Sequence, residues 1–181
     1  MQHRKTLGIV GIALTFFKLP LAGGIVALLL IQNDGLAATS IFLLMIFDIF
    51  DGVLFRYSTY SANIKLGKLR RSADSIGDVL VVNAVLITMI FSYDFPVGFY
   101  LITLVRSALA GALAVRAHTL GKPIWKTNLS SRLAAFSTGL MAIAWLLGET
   151  GASYFCAGLI VIFGAIGLAQ HYKTIQARVS P

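Results

Sequence analysis

Six long apolar runs dominate the sequence and leave few ways for such a chain to fold. They lie at about 7–31, 35–55, 76–93, 95–115, 133–148 and 151–169. A helix needs about 20 apolar residues to cross the bilayer core, and backbone polar groups inside lipid must bond within the protein. No barrel-type alternation is present. We therefore predict an all-α fold, an integral membrane bundle of six transmembrane helices.

The composition agrees with a membrane protein of one domain over residues 1–181. Hydrophobic residues make up 57% of the chain and charged residues only 12%, which is too few to cover a soluble globule. The net charge of +8 is typical of some nucleic-acid binders, but the basic residues here follow the loops, so no nucleic-acid partner is expected. The single cysteine, Cys156, excludes an intramolecular disulfide framework.

The charges between the apolar runs predict the orientation in the membrane. The turns at 32–34, around Asp94 and around Glu149 contain no Lys or Arg. Thirteen of the fifteen basic residues lie in the N-terminus, the 56–73 loop, the 116–132 loop and the C-terminal tail. Because positively charged loops stay on the cytoplasmic side, both termini are predicted to be cytoplasmic. The basic 56–73 loop is predicted to lie in the headgroup layer.

Four of the seven acidic residues form two pairs with helical spacing. Asp48 and Asp51 lie near the end of the second run, and Asp74 and Asp78 lie at the start of the third. Residues three or four apart share a helix face, and antiparallel spans bring both pairs to the same depth. A carboxylate at a helix centre in the bilayer costs roughly 2.5 to 3.5 kcal/mol, so the four need a compensating partner.

A divalent metal is the simplest partner, because hard cations such as Mg²⁺ prefer carboxylate oxygen. Four carboxylates can hold one or two ions, and a metal pair can clamp the oxygens of a phosphoryl displacement. Gly52 lets a bulky ligand approach the backbone, and Arg56 carries a guanidinium suited to phosphate. The alternative is that the aspartates only pair with Arg56, Arg70 and Arg71 at the interface.

This arrangement resembles the signature of the CDP-alcohol phosphotransferase family, D-x-x-D-G-x-x-A-R followed further along by G-x-x-x-D-x-x-x-D. The matched positions are Asp48, Asp51, Gly52, Arg56, Asp74 and Asp78. Phe55 replaces the alanine of the signature, and Arg70 stands where its second glycine would be. The gap between the two halves is also longer than in the family, so Gly67 is a candidate for the displaced glycine.

The resemblance implies a Mg²⁺- or Mn²⁺-dependent transfer of a phosphatidyl-type group from a CDP-linked lipid to an alcohol acceptor, with release of CMP, in phospholipid biosynthesis. It implies that Asp48, Asp51 and Asp74 bind metal and that Asp78, which also belongs to the metal site, is the general base. Asp48, Gly52 and Arg56 would contact the cytidine diphosphate. A homodimer in the cytoplasmic (inner) membrane, with its active site facing the cytoplasm, is also implied.

The first run contains two further candidates for CDP binding. Leu14, Thr15 and Lys18 resemble the L-T-x-x-R stretch of the family, with Lys in place of Arg. Lys18 is therefore a candidate phosphate ligand, and Thr15, one turn before it, could share the site. The alternatives are a lysine that snorkels along its own helix and a threonine that bonds its own helix backbone.

Three basic residues are candidates for binding the phosphate of an acceptor or a lipid headgroup. Arg106 lies in the middle of the fourth run, where a charge is rare and usually faces the bundle interior. Lys122 and Lys126 belong to a stretch, 121–127, that resembles the G-K-x-K-T stretch of phosphatidylglycerophosphate-synthase-like members. The alternatives are an arginine that pairs with helix carbonyls and a loop that only sets the topology.

Two other functions fit parts of the sequence. A non-catalytic relative of the family would keep the metal site and lose nucleotide binding, in line with the changes at Phe55 and Arg70. A divalent-cation transporter would use the aspartates as its pathway. Transport sites usually lie near the membrane midplane between two related halves, whereas these carboxylates cluster toward one face and no half-repeat is visible.

Overall fold

The described part of the chain consists of α-helices joined by short connections. A computed structural model describes residues 2–56, 64–120 and 128–177, and these contain no strand. The helices are α1 (Gln2–Leu30), α2 (Asp34–Arg56), α3 (Ile64–Tyr93), α4 (Val97–Thr119), α5 (Leu129–Leu146) and α6 (Thr150–Ala177). The prediction of an all-α fold is confirmed, with one helix for each apolar run.

Four segments are long and apolar enough to cross a bilayer, judged by length and composition over the described residues. They are Ala13–Leu30, Val97–Ala117, Leu129–Leu146 and Thr150–Gln176. α3 contributes a shorter apolar stretch, Gly77–Tyr93, and α2 carries Asp48 and Asp51 in its second half. The apolar helices fit a membrane protein, while the count of six spans and the orientation of the termini stay predictions.

Several helices extend beyond the apolar runs from which they were predicted. α1 begins at Gln2, α6 continues to Ala177, and α3 begins at Ile64. Residues 64–73, which were predicted to belong to a loop, therefore form the first turns of α3. Lys, Arg, Leu and Ala in this stretch are good helix formers, so the helix continues where the hydropathy falls.

The contacts divide the chain into two compact units, Met1–Asp94 and Phe95–Pro181. In the first unit, α1 packs against both α2 and α3. In the second unit, α6 packs against both α5 and α4. The central helix of each unit thus determines which residues of the other two can come together. That residues 1–181 form a single domain stays a prediction.

One face of α1 forms the core of the first unit. Ala22, Ile25 and Leu29 recur at helical spacing and are buried, the last two completely. Thr15 and Lys18 continue the same stripe toward the N-terminal end of the helix and are buried as well. The buried face of α1 therefore changes from apolar to polar along its length, and the polar end contains a positive charge.

A tyrosine joins the three helices at the apolar end of that stripe. The hydroxyl of Tyr93, the last residue of α3, donates to Asp34 Oδ1 at 2.7 Å, at the first residue of α2. It also lies 3.2 Å from the carbonyl oxygen of Leu29 on α1. A carboxylate in the first turn of α2 is favoured by the helix dipole, so this contact also stabilises the start of α2.

Candidate active site

Lys18 lies at the polar end of the buried face of α1. Its relative exposure is 1%, and it falls within the apolar segment Ala13–Leu30. A buried ammonium is tolerated only when it is paired and hydrogen-bonded. Nζ of Lys18 donates to Asp48 Oδ1 at 2.5 Å and to Asp78 Oδ1 at 3.0 Å. The lysine therefore joins α1 to both acidic helices at one point.

One member of each acidic pair of the sequence contacts this ammonium. Asp48 comes from the pair on α2 and Asp78 from the pair on α3, and both carboxylates contact the same nitrogen. Both helices are continuous through the other member of each pair, Asp51 and Asp74. Because residues three or four apart share a helix face, the backbone places all four aspartates on the two faces that carry this contact.

The structure describes the remaining predicted site residues to different extents. The side chains of Asp51, Gly52, Arg56 and Asp74 lie outside the described part of the structure, although their backbone belongs to α2 and α3. Lys122 and Lys126 lie outside the described residues altogether. Thr15 is buried one turn before Lys18 on the same stripe. The roles predicted for all of these residues stay predictions.

The carboxylates at the ammonium are accessible, whereas the ammonium is not. The side chains of Asp48 and Asp78 are 50% and 46% exposed, and that of Lys18 is 2% exposed. A ligand can therefore approach both carboxylates from outside the helix packing, while the lysine remains enclosed beneath them. The carboxylate oxygens of Asp48 and Asp78 are thus exposed, and the buried ammonium of Lys18 lies beneath them.

The donor set fits a divalent cation in its chemistry. Two carboxylates from different helices already surround one cation, and Mg²⁺ and Mn²⁺ prefer such oxygen ligands. Among the side chains that the structure describes, which do not include those of Asp51 and Asp74, no group of three or more His, Cys, Asp or Glu forms a metal cluster. Further ligands would have to come from Asp51 and Asp74, which share the helix faces of Asp48 and Asp78.

Arg106 forms a separate polar point in the second unit. Its Nη2 donates to the carbonyl oxygen of Ser131 at 3.3 Å, in the first turn of α5. Its aliphatic part passes over Gly164 of α6, where an added Cβ would lie 3.1 Å from Arg106 Cδ. Gly164 therefore leaves the space that the arginine uses to reach the beginning of α5.

The beginning of α5 is fixed to α6 by residues that the sequence reasoning missed. Asn128 caps α5, since its Oδ1 accepts from the Ser131 N–H at 2.7 Å and its Nδ2 donates to the Gly167 carbonyl at 2.9 Å. An added Cβ at Gly167 would lie 2.6 Å from Ser131 Oγ. An Asn just before a helix is a recognisable N-cap signal, whereas a glycine in an apolar run gives no such signal.

The helices and the contacts at Lys18 define a helical membrane protein with an acidic site in its first unit. The sequence matches the CDP-alcohol phosphatidyltransferase family over residues 9–170, most of the chain and all of the predicted site residues. The chain therefore belongs to this family, and the resemblance seen in the aspartate signature is confirmed. The family contains membrane transferases of phosphate groups that act in phospholipid synthesis.

Members of the family bind a CDP-alcohol and an alcohol acceptor in the membrane and generally use a divalent metal for catalysis. No curated protein and no solved structure gives a significant match to the chain.

Proposed function

We propose that the chain is a Mg²⁺- or Mn²⁺-dependent phosphatidyltransferase that transfers a phosphatidyl-type group from a CDP-linked lipid to an alcohol and releases CMP. One observation carries the proposal. Asp48 from the first half of the family signature and Asp78 from the second half contact the same buried ammonium of Lys18. This contact supports a common site for both halves, which a phosphoryl transfer to a bound acceptor requires.

The donor side of the reaction belongs to α1, α2 and α3. Asp48, Asp51, Asp74 and Asp78 would hold one or two Mg²⁺ or Mn²⁺ ions, which neutralise diphosphate charge when bound. Asp48, Gly52 and Arg56 would contact the cytidine diphosphate, and Thr15 and Lys18 would contribute from α1. The half-exposed carboxylate of Asp48 supports an approach of the diphosphate from outside the helix packing.

Asp78 would act as the general base toward the acceptor. As the acceptor oxygen attacks the β-phosphorus, its proton passes to the Asp78 carboxylate. The bond from the β-phosphorus to the bridging oxygen breaks, and CMP leaves with that oxygen. Catalysis in such transfers consists mainly of positioning and charge neutralisation. The half-exposed position of Asp78 supports this role, because an acceptor hydroxyl must be able to reach the base.

Arg106, Lys122 and Lys126 would bind an acceptor phosphate or a lipid headgroup. The bond to the Ser131 carbonyl is the one hydrogen bond of Arg106 to any described residue, and a guanidinium has five N–H donors. Donors therefore remain for an anionic ligand. The charge distribution of the loops supports the rest of the proposal, an active site that faces the cytoplasm from the inner membrane, and a homodimer follows from the family resemblance.

The test is CMP release by the purified full chain in nanodiscs with CDP-diacylglycerol, Mg²⁺ and a panel of alcohols and phospho-alcohols. We expect release with one class of acceptor, and its loss with EDTA and in the variants Asp48→Asn and Asp51→Asn. Asp94→Asn is the matched control, because Asp94 lies outside the signature and its φ of +50° is also tolerated by Asn.

Full metal-dependent release in Asp51→Asn would contradict the proposed metal site. Metal-dependent binding of CDP-diacylglycerol without CMP release for any acceptor would instead favour the non-catalytic relative. Divalent-cation flux into vesicles that contain the protein would favour the transporter.

A further inference from the structure

A positive charge of the protein itself lies between two carboxylates of the proposed metal site. The ammonium of Lys18 contacts one oxygen each of Asp48 and Asp78. Its backbone is held in the core of the first unit, since Ala22 and Ile25 on the same face of α1 are buried. The ammonium of Lys18 is therefore positioned at the acidic site by a packed helix, α1, and not by a surface loop.

The two carboxylates need such a charge when no metal is present. Two carboxylates that lie close together repel each other unless a cation lies between them. An ammonium is a compact charge with three donors on a flexible four-carbon stem. It can neutralise two carboxylates at once, and it can also turn away from one of them without movement of the helix.

We propose that Lys18 is an internal counter-cation of the acidic site. It neutralises Asp48 and Asp78 while no divalent cation is bound, and it gives up at least one of the two contacts when a divalent cation binds. The inference rests on the proposed function only in taking Asp48 and Asp78 as metal ligands. It goes beyond that function because it gives Lys18 a role in the metal-free protein. It also implies that the positive charge of Lys18 lowers the affinity of the site for a divalent cation.

A second interpretation of the same contacts makes the opposite prediction. Lys18 could be a fixed support that holds the two carboxylates in the geometry that the metal needs. Replacing Lys18 with a neutral residue would then weaken metal binding, because the two carboxylates would no longer be held in position. If Lys18 is a counter-cation, the same change strengthens metal binding, because a competing and repelling charge is removed. The direction of the change in affinity therefore decides between the two.

The experiment measures Mn²⁺ binding to the purified full chain in nanodiscs, from the EPR signal of free Mn²⁺, with no CDP-lipid and no acceptor. We expect Lys18→Gln and Lys18→Met to lower the Kd for Mn²⁺ by about tenfold, since a unit charge near a divalent ion is repelled appreciably even with water-like screening. Lys18→Arg keeps the charge and is expected to leave the Kd at least as high as in the wild type.

The matched control is Lys173→Gln, which removes an exposed lysine of α6 in the other unit and is expected to leave the Kd unchanged. Thermal unfolding gives a second readout. Lys18→Gln is expected to unfold at a lower temperature than the wild type without metal, and saturating Mn²⁺ is expected to raise its unfolding temperature by more than it raises that of the wild type.

A third readout follows the wild-type protein and needs only the charge-conserving variant Lys18→Arg, for the assignment. The ¹⁵N signal of Lys18 Nζ, assigned by its absence in Lys18→Arg, is expected to shift when Mg²⁺ is added to saturation. An unchanged signal would overturn the proposal. A higher Kd in Lys18→Gln, restored by Lys18→Arg, would overturn it as well, and so would a wild-type protein that binds no Mn²⁺.

These readouts separate this inference from the proposed function. Tighter Mn²⁺ binding in Lys18→Gln, together with no CMP release for any acceptor, would leave Lys18 as the counter-cation and overturn the transferase. An active transferase whose Mn²⁺ affinity falls in Lys18→Gln would overturn the counter-cation alone.

Discussion

Lys18 and Arg106 are basic side chains within apolar helices, and each has a different kind of partner. Lys18 meets two carboxylates, so its charge is neutralised inside the first unit. Arg106 meets a backbone carbonyl, and within the described residues it has no carboxylate partner. A basic side chain that lies in an apolar helix and has no acidic partner is often part of a ligand-binding site. At the residue scale, Arg106 is thus suited to an anionic ligand and Lys18 to balancing the acidic site.

The role of Asp78 can be separated from that of the other aspartates by a conservative change. Asp78→Asn is expected to lower kcat by about 10²- to 10⁴-fold, as is typical for loss of a general base. Metal-dependent binding of the CDP-lipid is expected to survive, because Asp48, Asp51 and Asp74 remain. Single-turnover CMP release and equilibrium binding of a CDP-lipid measure the two effects separately.

Asp51→Asn is the comparison for that experiment, since a pure metal ligand is expected to lose binding and turnover together. Should Asp78→Asn destroy CDP-lipid binding as completely as Asp51→Asn, Asp78 would be chiefly a metal ligand and the assignment of the base would be wrong.

Arg106 can be tested through the acceptor. Arg106→Met keeps an unbranched apolar side chain in place of the aliphatic stem and removes the guanidinium. The KM for an anionic acceptor is therefore expected to rise at least tenfold, in line with a charged hydrogen bond worth about 1.5 to 3 kcal/mol. The KM for the CDP-lipid is expected to change little. Arg116→Met, at an exposed position of the same helix, is the control. Equal effects of both variants would show that only the general charge of α4 matters.

The sequence predicts that each acidic pair shares a helix face, but it could not predict that Lys18 contacts Asp48 and Asp78. The spacing of Asp48, Asp51, Asp74 and Asp78 follows from helical periodicity, which is local. The contact of Lys18 with Asp48 and Asp78 joins residues 30 and 60 positions apart, and it depends on α1 packing against both other helices. No local pattern contains that information, so a lysine in an apolar run could only be interpreted as a phosphate ligand or a snorkelling side chain.

At the scale of elements, small residues determine how closely the helices approach. The face of α6 that packs in the second unit includes Ala157, Ile160, Gly164 and Gly167, all buried at helical spacing. Small residues let helix backbones come close in membranes, where packing rather than hydrophobic burial drives association. Here the two glycines accept Arg106 and the first turn of α5, so the same face positions a candidate ligand residue.

Gly167→Ala is expected to destabilise the second unit by about 1 to 3 kcal/mol, the usual cost of overpacking. The added Cβ would meet Ser131 Oγ at 2.6 Å and the Ser131 backbone nitrogen at 3.2 Å, and backbone cannot move aside cheaply. Thermal unfolding in detergent measures the loss. Gly158→Ala is the matched control on the same helix, because nothing lies within 4 Å of its added Cβ. Equal unfolding temperatures for the two variants would contradict the close packing at Gly167.

The joint made by Tyr93 gives a corresponding test in the first unit. Tyr93→Phe removes the hydroxyl that donates to Asp34 and keeps the ring, so we expect a loss of about 1 to 2 kcal/mol in unfolding free energy. Tyr154→Phe is the control, since its hydroxyl makes no hydrogen bond within the described residues while its ring packs on Phe99. An unchanged stability in Tyr93→Phe would show that the joint contributes nothing to the fold.

The helices themselves could be predicted, but several of their ends could not. Hydropathy identifies the apolar part of a helix, and so it located all six helices. It missed residues 64–73 of α3, because their charged side chains suit water while their backbone still forms helical hydrogen bonds. It also missed the beginning of α5, which depends on the capping bonds of Asn128 to Ser131 and Gly167.

At the scale of the whole molecule, the distribution of positive charge remains the main determinant of orientation. Basic residues are absent from the turns at 32–34, Asp94 and Glu149 and concentrated in the other connections. The substrate proposal depends on this orientation. In the proposed reaction the CDP-linked donor and the acceptor would be reached from the cytoplasmic side, so the end of α2 and the beginning of α3, which carry the aspartates, would have to face the cytoplasm.

Cysteine labelling in intact cells tests the orientation. The background is Cys156→Ala, which removes the single, buried thiol. A membrane-impermeant maleimide is expected to label an outer set of single cysteines in intact cells and an inner set only after permeabilisation. The reason is that the basic loops are retained in the cytoplasm. The outer set replaces Ile31, Val97 and Thr150, and the inner set replaces Lys65, Lys122 and Lys173. The inner set also serves as the control for intact membranes. Labelling at position 65 from outside would reverse the orientation, and the acidic site would then face away from its proposed cytoplasmic substrates.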